Sequence, residues 1–285
     1  MFEMFQLDFM VQAFIVTVII NLVLSYLGVH VVGRGIVFVD LALGQISSLG
    51  VAFADYLGKG ETTIPIIFAL AGAFLMSLIH IRDRRLKLEA IIGIIYAIAS
   101  AATVMLISKT PHGDSDIQEV LFGNILAVNW DQIKIIAIIF GALALLHGIF
   151  IKKFFRLTES FETDSPTIET SAFKTKGAFR FWNFVFYLTI GLTIVFAVRI
   201  SGVIPVFSFL IIPAVAAIML SKKNMGVVII AAIISVFGAF FGLNVSYHFD
   251  FPAGSSLVAV LGGIFFIVSM FYLFKNKTSN KESST

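Results

Sequence analysis

Long apolar stretches alternate with short polar connections along the chain, and this pattern predicts a bundle of membrane-crossing helices. A helix needs about 20 predominantly apolar residues to cross a bilayer. Nine stretches approach that length, at 10–32, 36–57, 63–80, 89–108, 132–151, 181–199, 203–220, 225–243 and 255–274. The predicted fold class is therefore all-α, a polytopic membrane protein with about eight to nine transmembrane helices.

The charges of the connections predict how the helices are oriented. Basic residues collect in every second connection, at Arg34, 82–87, 152–180, 222–223 and 275–281. Because basic connections stay in the cytoplasm, we expect the amino terminus outside and the carboxyl terminus inside. The first stretch has no basic leader and no small-residue cleavage pattern, so it is predicted to be a retained helix and not a signal peptide.

Composition narrows the chemistry that the chain can support. The chain is 59% hydrophobic and 13% charged, and its net charge of +3 is no sign of nucleic-acid binding. It has no cysteine, which excludes thiolate metal sites and leaves oxygen and imidazole as ligands. It also lacks a Gly-x-x-x-x-Gly-Lys-Ser/Thr loop, a His-Glu-x-x-His pair and a nucleophile elbow. An enzyme is therefore not expected, and if ATP drives this protein, another subunit binds the ATP.

Polar and helix-breaking residues inside the apolar stretches mark candidate functional positions. A carboxylate at membrane depth costs a few kcal/mol, so Asp40 indicates a pathway or a binding site. Gln45 offers a carbonyl oxygen, a ligand type that suits hard ions. Pro213 removes a helical hydrogen bond and is predicted to be either a flexing point or a static kink.

The interval 109–131 combines a polar loop with an apolar run that is too short to span a membrane. His112, Asp114 and Asp116 place one imidazole and two carboxylates close together, a set compatible with a divalent ion. The same residue types also form ordinary capped turns. The apolar run 120–128 is predicted to be re-entrant, interfacial or an extension of a neighbouring helix. Elsewhere, His30 is predicted to be structural and His147 to be an interfacial anchor.

The interval 152–180 is the longest predicted cytoplasmic connection. It contains enough apolar residues to dock a cytosolic partner, and a flexible charged linker is the alternative. The docking candidates within it are Phe161, Ser165, Pro166, Lys174 and Gly177.

Five segments of the chain, in order, resemble the permease family of ABC importers for zinc, manganese and iron. They are the run from Arg34 to Gly50-Val51-Ala52, then 89–94, 121–128, 201–214 and the Phe-Asp-Phe-Pro-Ala-Gly of 249–254. The chain also departs from the family pattern. Gln45 stands where the family typically has a histidine, Leu41 stands where it has an aspartate, and Asp40 lies one position earlier. The chain therefore resembles a divergent branch.

The resemblance implies a single permease domain over 1–285, with a disordered cytoplasmic tail at 275–285. It implies a path for a divalent metal ion, which is cargo and not a bound cofactor. It also implies a cytosolic ATPase docking at 152–180, an extracytoplasmic metal-binding protein and a second permease copy, in a bacterial inner membrane. Two alternatives remain: a permease for a metal chelate or vitamin, and a secondary carrier.

Overall fold

The computed structural model describes residues 3–60, 62–79, 88–108, 121–162, 173 and 175–282. Within these ranges the chain forms ten α-helices and no strand, so the predicted all-α fold class is confirmed. The helices are α1 Asp8–Gly33, α2 Val39–Leu57, α3 Thr63–Leu78, α4 Leu88–Ile107, α5 Trp130–Ile149, α6 Ile151–Glu162, α7 Lys176–Ser201, α8 Val203–Leu220, α9 Asn224–Phe249 and α10 Ala253–Glu282.

Each of the nine apolar stretches coincides with one helix. Seven helices in the described ranges are long and apolar enough to cross a membrane: α1, α4, α5, α7, α8, α9 and α10. The helix α3 is apolar but has only 16 residues. The helix α2 has 19 residues and carries buried polar side chains, including Asp40 and Gln45. Since these two helices pack against each other and α2 packs also on α4 and α7, they belong to the same bundle.

Contacts between helix termini define two ends of the bundle. At the end that we name the basic end, the Arg34 side chain after α1 meets Thr158 of α6 and Asn183 of α7. The opposite end, where Asp55, Asp131 and Asp250 lie at helix termini, is named the acidic end. There Arg199 near the end of α7 donates to Thr62 before α3. The chain therefore crosses from end to end in successive long helices.

The segment 121–128 does not cross the bundle but packs at its acidic end. It contains a short 3₁₀ turn at Ile125–Ala127. The Asn124 N–H donates to the Ile200 carbonyl, 3.1 Å away, near the end of α7. A Cβ on Gly254 would lie 2.5 Å from the Phe122 carbonyl oxygen, so α10 begins against the same segment. Three of the five family-like segments thus meet in one place.

The helices α1 and α8 touch near Pro213, the kink candidate inside α8. A Cβ on Gly28 of α1 would lie only 1.8 Å from the Leu210 carbonyl oxygen and 3.2 Å from the Ala214 side chain. Because backbone atoms cannot yield as a flexible side chain does, this crossing requires glycine. The proline therefore lies between Leu210 and Ala214, the two residues of α8 that contact Gly28 of α1.

The interval 152–180 is partly helical where it is described. The helix α6 occupies Ile151–Glu162, and α7 begins at Lys176, where the Thr175 side chain accepts a hydrogen bond from the Ala178 N–H. Ser165, Pro166 and Lys174 lie outside the described residues. At the carboxyl end, α10 runs to Glu282, into the region for which the sequence predicts a disordered tail.

Candidate transport site

Asp40 is buried in the first turn of α2. Its side chain is 2% exposed, and neither carboxylate oxygen has a side-chain partner among the described residues. Burying a carboxylate without a side-chain partner is expensive. Asp40 therefore stays a predicted functional position, now with its burial known.

Gln45 is also buried, but it lies on a different side of α2. At about 100° per residue, it is about 140° around the helix from Asp40. Gly44, about 40° around the helix from Asp40, faces Val198 and Val203. Asp40 and Gln45 therefore point in different directions from α2.

A cleft of about 570 Å³ opens beside the acidic-end half of α2. Its polar lining comes from Ser47, Ser48, Asp55, Thr62, Gln132 and Arg199. Gln132 is held in place by a capping box at the start of α5: its N–H donates to the Asn129 side chain, and its side chain accepts from the Asn129 N–H. The cleft therefore offers hydroxyl, amide and carboxylate oxygens together with one guanidinium group.

A buried cluster around Arg34 occupies the basic end. Arg34 is 7% exposed, and its guanidinium carbon lies 3.5 Å from the centre of the Phe186 ring. Its Nε donates to Thr158 Oγ1 at 3.3 Å and its Nη1 donates to Asn183 Oδ1 at 3.4 Å. These contacts join α1, α6 and α7. Arg34, which sequence analysis counts with the basic connections, is thus a packed residue, because the flat guanidinium stacks on an aromatic face.

Two histidines extend this cluster into the bundle. His30 Nδ1 lies 2.8 Å from Thr158 Oγ1, and His147 Nε2 lies 3.0 Å from Thr189 Oγ1. The Tyr26 ring lies between them, with ring centres 4.9 Å from His30 and 5.4 Å from His147. His147 is buried, so its expected position as an interfacial anchor is wrong. Within the described ranges, no group of three or more His, Asp or Glu side chains could hold a metal ion.

Of the remaining candidates for partner docking and metal contact, some lie in the part of the chain that the structure describes and others do not. Phe161 packs on Phe179 with ring centres 5.8 Å apart, and it keeps 38% of its surface exposed at the basic end. Gly177 is exposed in the first turn of α7. His112, Asp114 and Asp116 lie outside the described residues.

Sequence reasoning missed several polar residues of these two regions: Ser47, Ser48, Thr158, Asn183 and Arg199. One signal was available for the serines. Ser47 follows Asp40 by seven residues, two helical turns, and therefore shares a side of α2 with it. Thr158 and Asn183 carry no comparable signal, because their partner Arg34 lies far away in the sequence.

Comparisons with known proteins identify the family of the chain. The model of the ABC 3 transport family matches residues 6–272. The manganese transport system membrane protein MntC of Listeria monocytogenes is 29% identical over 93% of this chain and 91% of its own. The solved structure of PsaBC from Streptococcus pneumoniae in complex with a Fab superposes with a TM-score of 0.77 at 24% identity, covering 92% of this chain and 91% of that one. An inward-facing ABC transporter described as of the metal-chelate type superposes with a TM-score of 0.71 at 16% identity, covering 92% and 87%. Since the family model spans nearly the whole chain, this protein belongs to the ABC 3 transport family.

Proposed function

We propose that this chain is the membrane-spanning subunit of an ABC importer and forms the path by which a divalent metal ion enters the cell. The observation that carries the proposal is Asp40, a buried carboxylate without a side-chain partner in the helix α2 of an ABC 3 family fold. Asp40 and Gln45 are the described path candidates. The ion is manganese, zinc or iron, as the resemblance implies, and MntC of Listeria is named for manganese.

Transport of the ion through the path needs an energy source. Because the sequence has no nucleotide-binding loop, a separate cytosolic ATPase supplies it. We place its docking surface at the basic end, on α6 and the interval that follows it, with Phe161, Ser165, Pro166, Lys174 and Gly177 as candidates. Arg34 ties α6 to both α1 and α7, so a push on α6 reaches two membrane helices directly.

The other partners follow from the same assignment. The basic end faces the cytoplasm of a bacterial inner membrane, and the acidic end faces outward with the amino terminus. An extracytoplasmic metal-binding protein delivers the ion there, and a second permease copy completes the complex. Binding along the path is weak, because a transported ion must also leave.

The first test is elemental analysis of cells lacking this protein and of complemented cells, grown under limitation for manganese, zinc and iron in turn. We expect a deficit in one metal that complementation restores. Equal metal contents in both strains under all three limitations would contradict metal import.

A metal chelate is the second candidate cargo, and the cleft favours it. Its volume of about 570 Å³ lies within the usual range of small-molecule pockets. Uptake of the same radioactive metal, supplied free or bound to a small chelator, separates the two. Faster uptake of the chelated form would favour the chelate, and faster uptake of the free ion would favour the metal.

A further inference from the structure

We infer that Glu89 is a positioning residue, which holds the turn between α1 and α2 against α4 by accepting a hydrogen bond. This role rests on the proposed transport function and adds to it the link through which the ATPase acts on the path. The turn, residues 34–38, is tied to α6 at its start by Arg34 and to α4 near its end by Glu89. Movement of α6 is therefore passed to Asp40 and to α4 together.

The turn between α1 and α2 is a rigid connection and not a flexible linker. The Gly35 N–H donates to the Val32 carbonyl at 3.0 Å. The Ile36 N–H donates to the Val31 carbonyl at 3.2 Å. Since Gly35 has a φ angle of +64°, these two bonds form the Schellman motif that ends many helices. Ile36 and Val31 also belong to the same buried core cluster. A displacement at the start of the turn is thus not absorbed by its backbone.

Arg34 fixes the start of the turn to the helix on which the ATPase is proposed to dock. Its side chain donates to Thr158 of α6, and its guanidinium carbon lies 5.5 Å from the centre of the Phe161 ring. Phe161 is the exposed docking candidate on the same helix. An ATPase that contacts Phe161 therefore binds next to the residue that begins the turn.

Glu89 fixes the part of the turn that leads into α2. Its Oε1 accepts a hydrogen bond from the Val37 N–H, 3.4 Å away. The residue at the N-cap position of α2, Phe38, provides no side-chain cap, so α2 does not fix its own start. Asp40 follows Val37 by three residues and lies in the first turn of α2. The Glu89 carboxylate therefore holds, from outside, the backbone that carries Asp40.

Glu89 is half-buried and faces the bundle from the first turn of α4. Ile92, three residues later on the same side of the helix, is 1% exposed. Within the described ranges α4 packs mainly on α2, so the bond at Glu89 joins these two helices where both begin. An acid in the first turn of a helix can also act through its charge, by favouring the helix dipole. The two roles differ, because the bond needs an acceptor oxygen and the dipole needs a negative charge.

The test compares ATP hydrolysis with transport of radioactive Mn²⁺, Zn²⁺ and Fe²⁺, each in turn, by the complete transporter in liposomes. We expect Glu89→Ala to keep ATP hydrolysis, which takes place on the other subunit. The number of ions transported per ATP should fall at least about fivefold, the effect of losing one hydrogen bond. Glu89→Gln keeps an acceptor oxygen and should restore the ratio of the unaltered protein. Ser77→Ala is the matched control, since Ser77 lies near the basic end of α3 and its hydroxyl donates to Phe74 of the same helix.

A cysteine pair gives a second test, since the sequence has no cysteine of its own. In the double variant Val37→Cys/Glu89→Cys the hydrogen bond is lost, and a short thiol-specific cross-linker replaces it. We expect few ions per ATP before cross-linking and several-fold more after it. Because both values come from the same protein, this comparison also decides the outcome if Glu89→Ala does not fold.

Three results would count against this role of Glu89. A ratio in folded Glu89→Ala equal to that of Ser77→Ala, or no change on cross-linking, would overturn it and leave the proposed function intact. A ratio as low in Glu89→Gln as in Glu89→Ala would also overturn it, because the negative charge and not the acceptor would then be needed. If the unaltered transporter carries none of the three ions, the proposed function itself fails, and the role of Glu89 with it.

Discussion

Gly123 and Gly202 pack backbone against backbone at the acidic end. A Cβ on either glycine would lie 2.4 Å from the amide nitrogen of the other, and both residues have positive φ angles, +67° and +77°. At Gly202, φ of 77° and ψ of 167° form a combination that is essentially restricted to glycine. This contact holds the junction between α7 and α8 against the segment 121–128.

We expect Gly123→Ala and Gly202→Ala each to lower the thermal unfolding midpoint of the detergent-purified protein. The added Cβ has no space, and the backbone strain alone costs about 1–3 kcal/mol. Gly262→Ala is the matched control, because nothing lies within 4 Å of a Cβ at that position. A midpoint for Gly202→Ala equal to that of the control would contradict the close contact.

Gly28→Ala tests the crossing of α1 and α8. The new methyl group would meet the Leu210 carbonyl, so the helices must separate and the protein must lose stability. Gly141→Ala in α5, where the space is open, should instead be neutral or stabilising, since alanine favours a helix by about 1 kcal/mol over glycine. We expect the unfolding midpoint to fall in Gly28→Ala and to stay equal or rise in Gly141→Ala. A fall in both variants, or in neither, would count against the crossing.

Thr158→Val tests the attachment of α6. The change keeps the shape of the side chain but removes the acceptor for Arg34 and the partner of His30, at a cost of about 1–3 kcal/mol. We expect faster proteolysis within α6 and weaker co-purification of the ATPase. Ser160→Ala is the control on the same helix, because the Ser160 hydroxyl bonds only to Leu157 of α6 itself. Similar proteolysis of the two variants would exclude Thr158 as an anchor.

Pro213→Ala tests whether α8 flexes. The substitution allows the missing hydrogen bond to the Phe209 carbonyl, four residues before, and so stiffens the helix. We expect metal uptake to fall several-fold while the unfolding midpoint stays equal or rises. Unchanged uptake would identify the proline as a static kink.

Local patterns in the sequence predict the helices, and contacts between distant segments determine the rest. All nine apolar stretches are helices because length and hydropathy are properties of a single stretch. The position of Asp40 could be singled out in the same way. The neighbours that the Asp40 side chain faces could not be predicted, since they depend on how α7 and α8 pack on α2. Arg34 looks like a residue of a basic connection until α6 and α7 fold over it.

The polarity of α2 has a consequence for how the protein is made. Unlike the seven long helices, α2 is not apolar enough to qualify as a membrane span by itself, and it buries its polar residues against other helices. Its neighbours α3, α4, α7 and α8 all follow it in the chain, so this cover is synthesised after α2. We therefore expect α2 to insert stably only late in biogenesis, held by the insertion machinery until α7 arrives. Truncated chains ending before α7 should be degraded, and the helix with the path carboxylate is the one that depends most on completion of the chain.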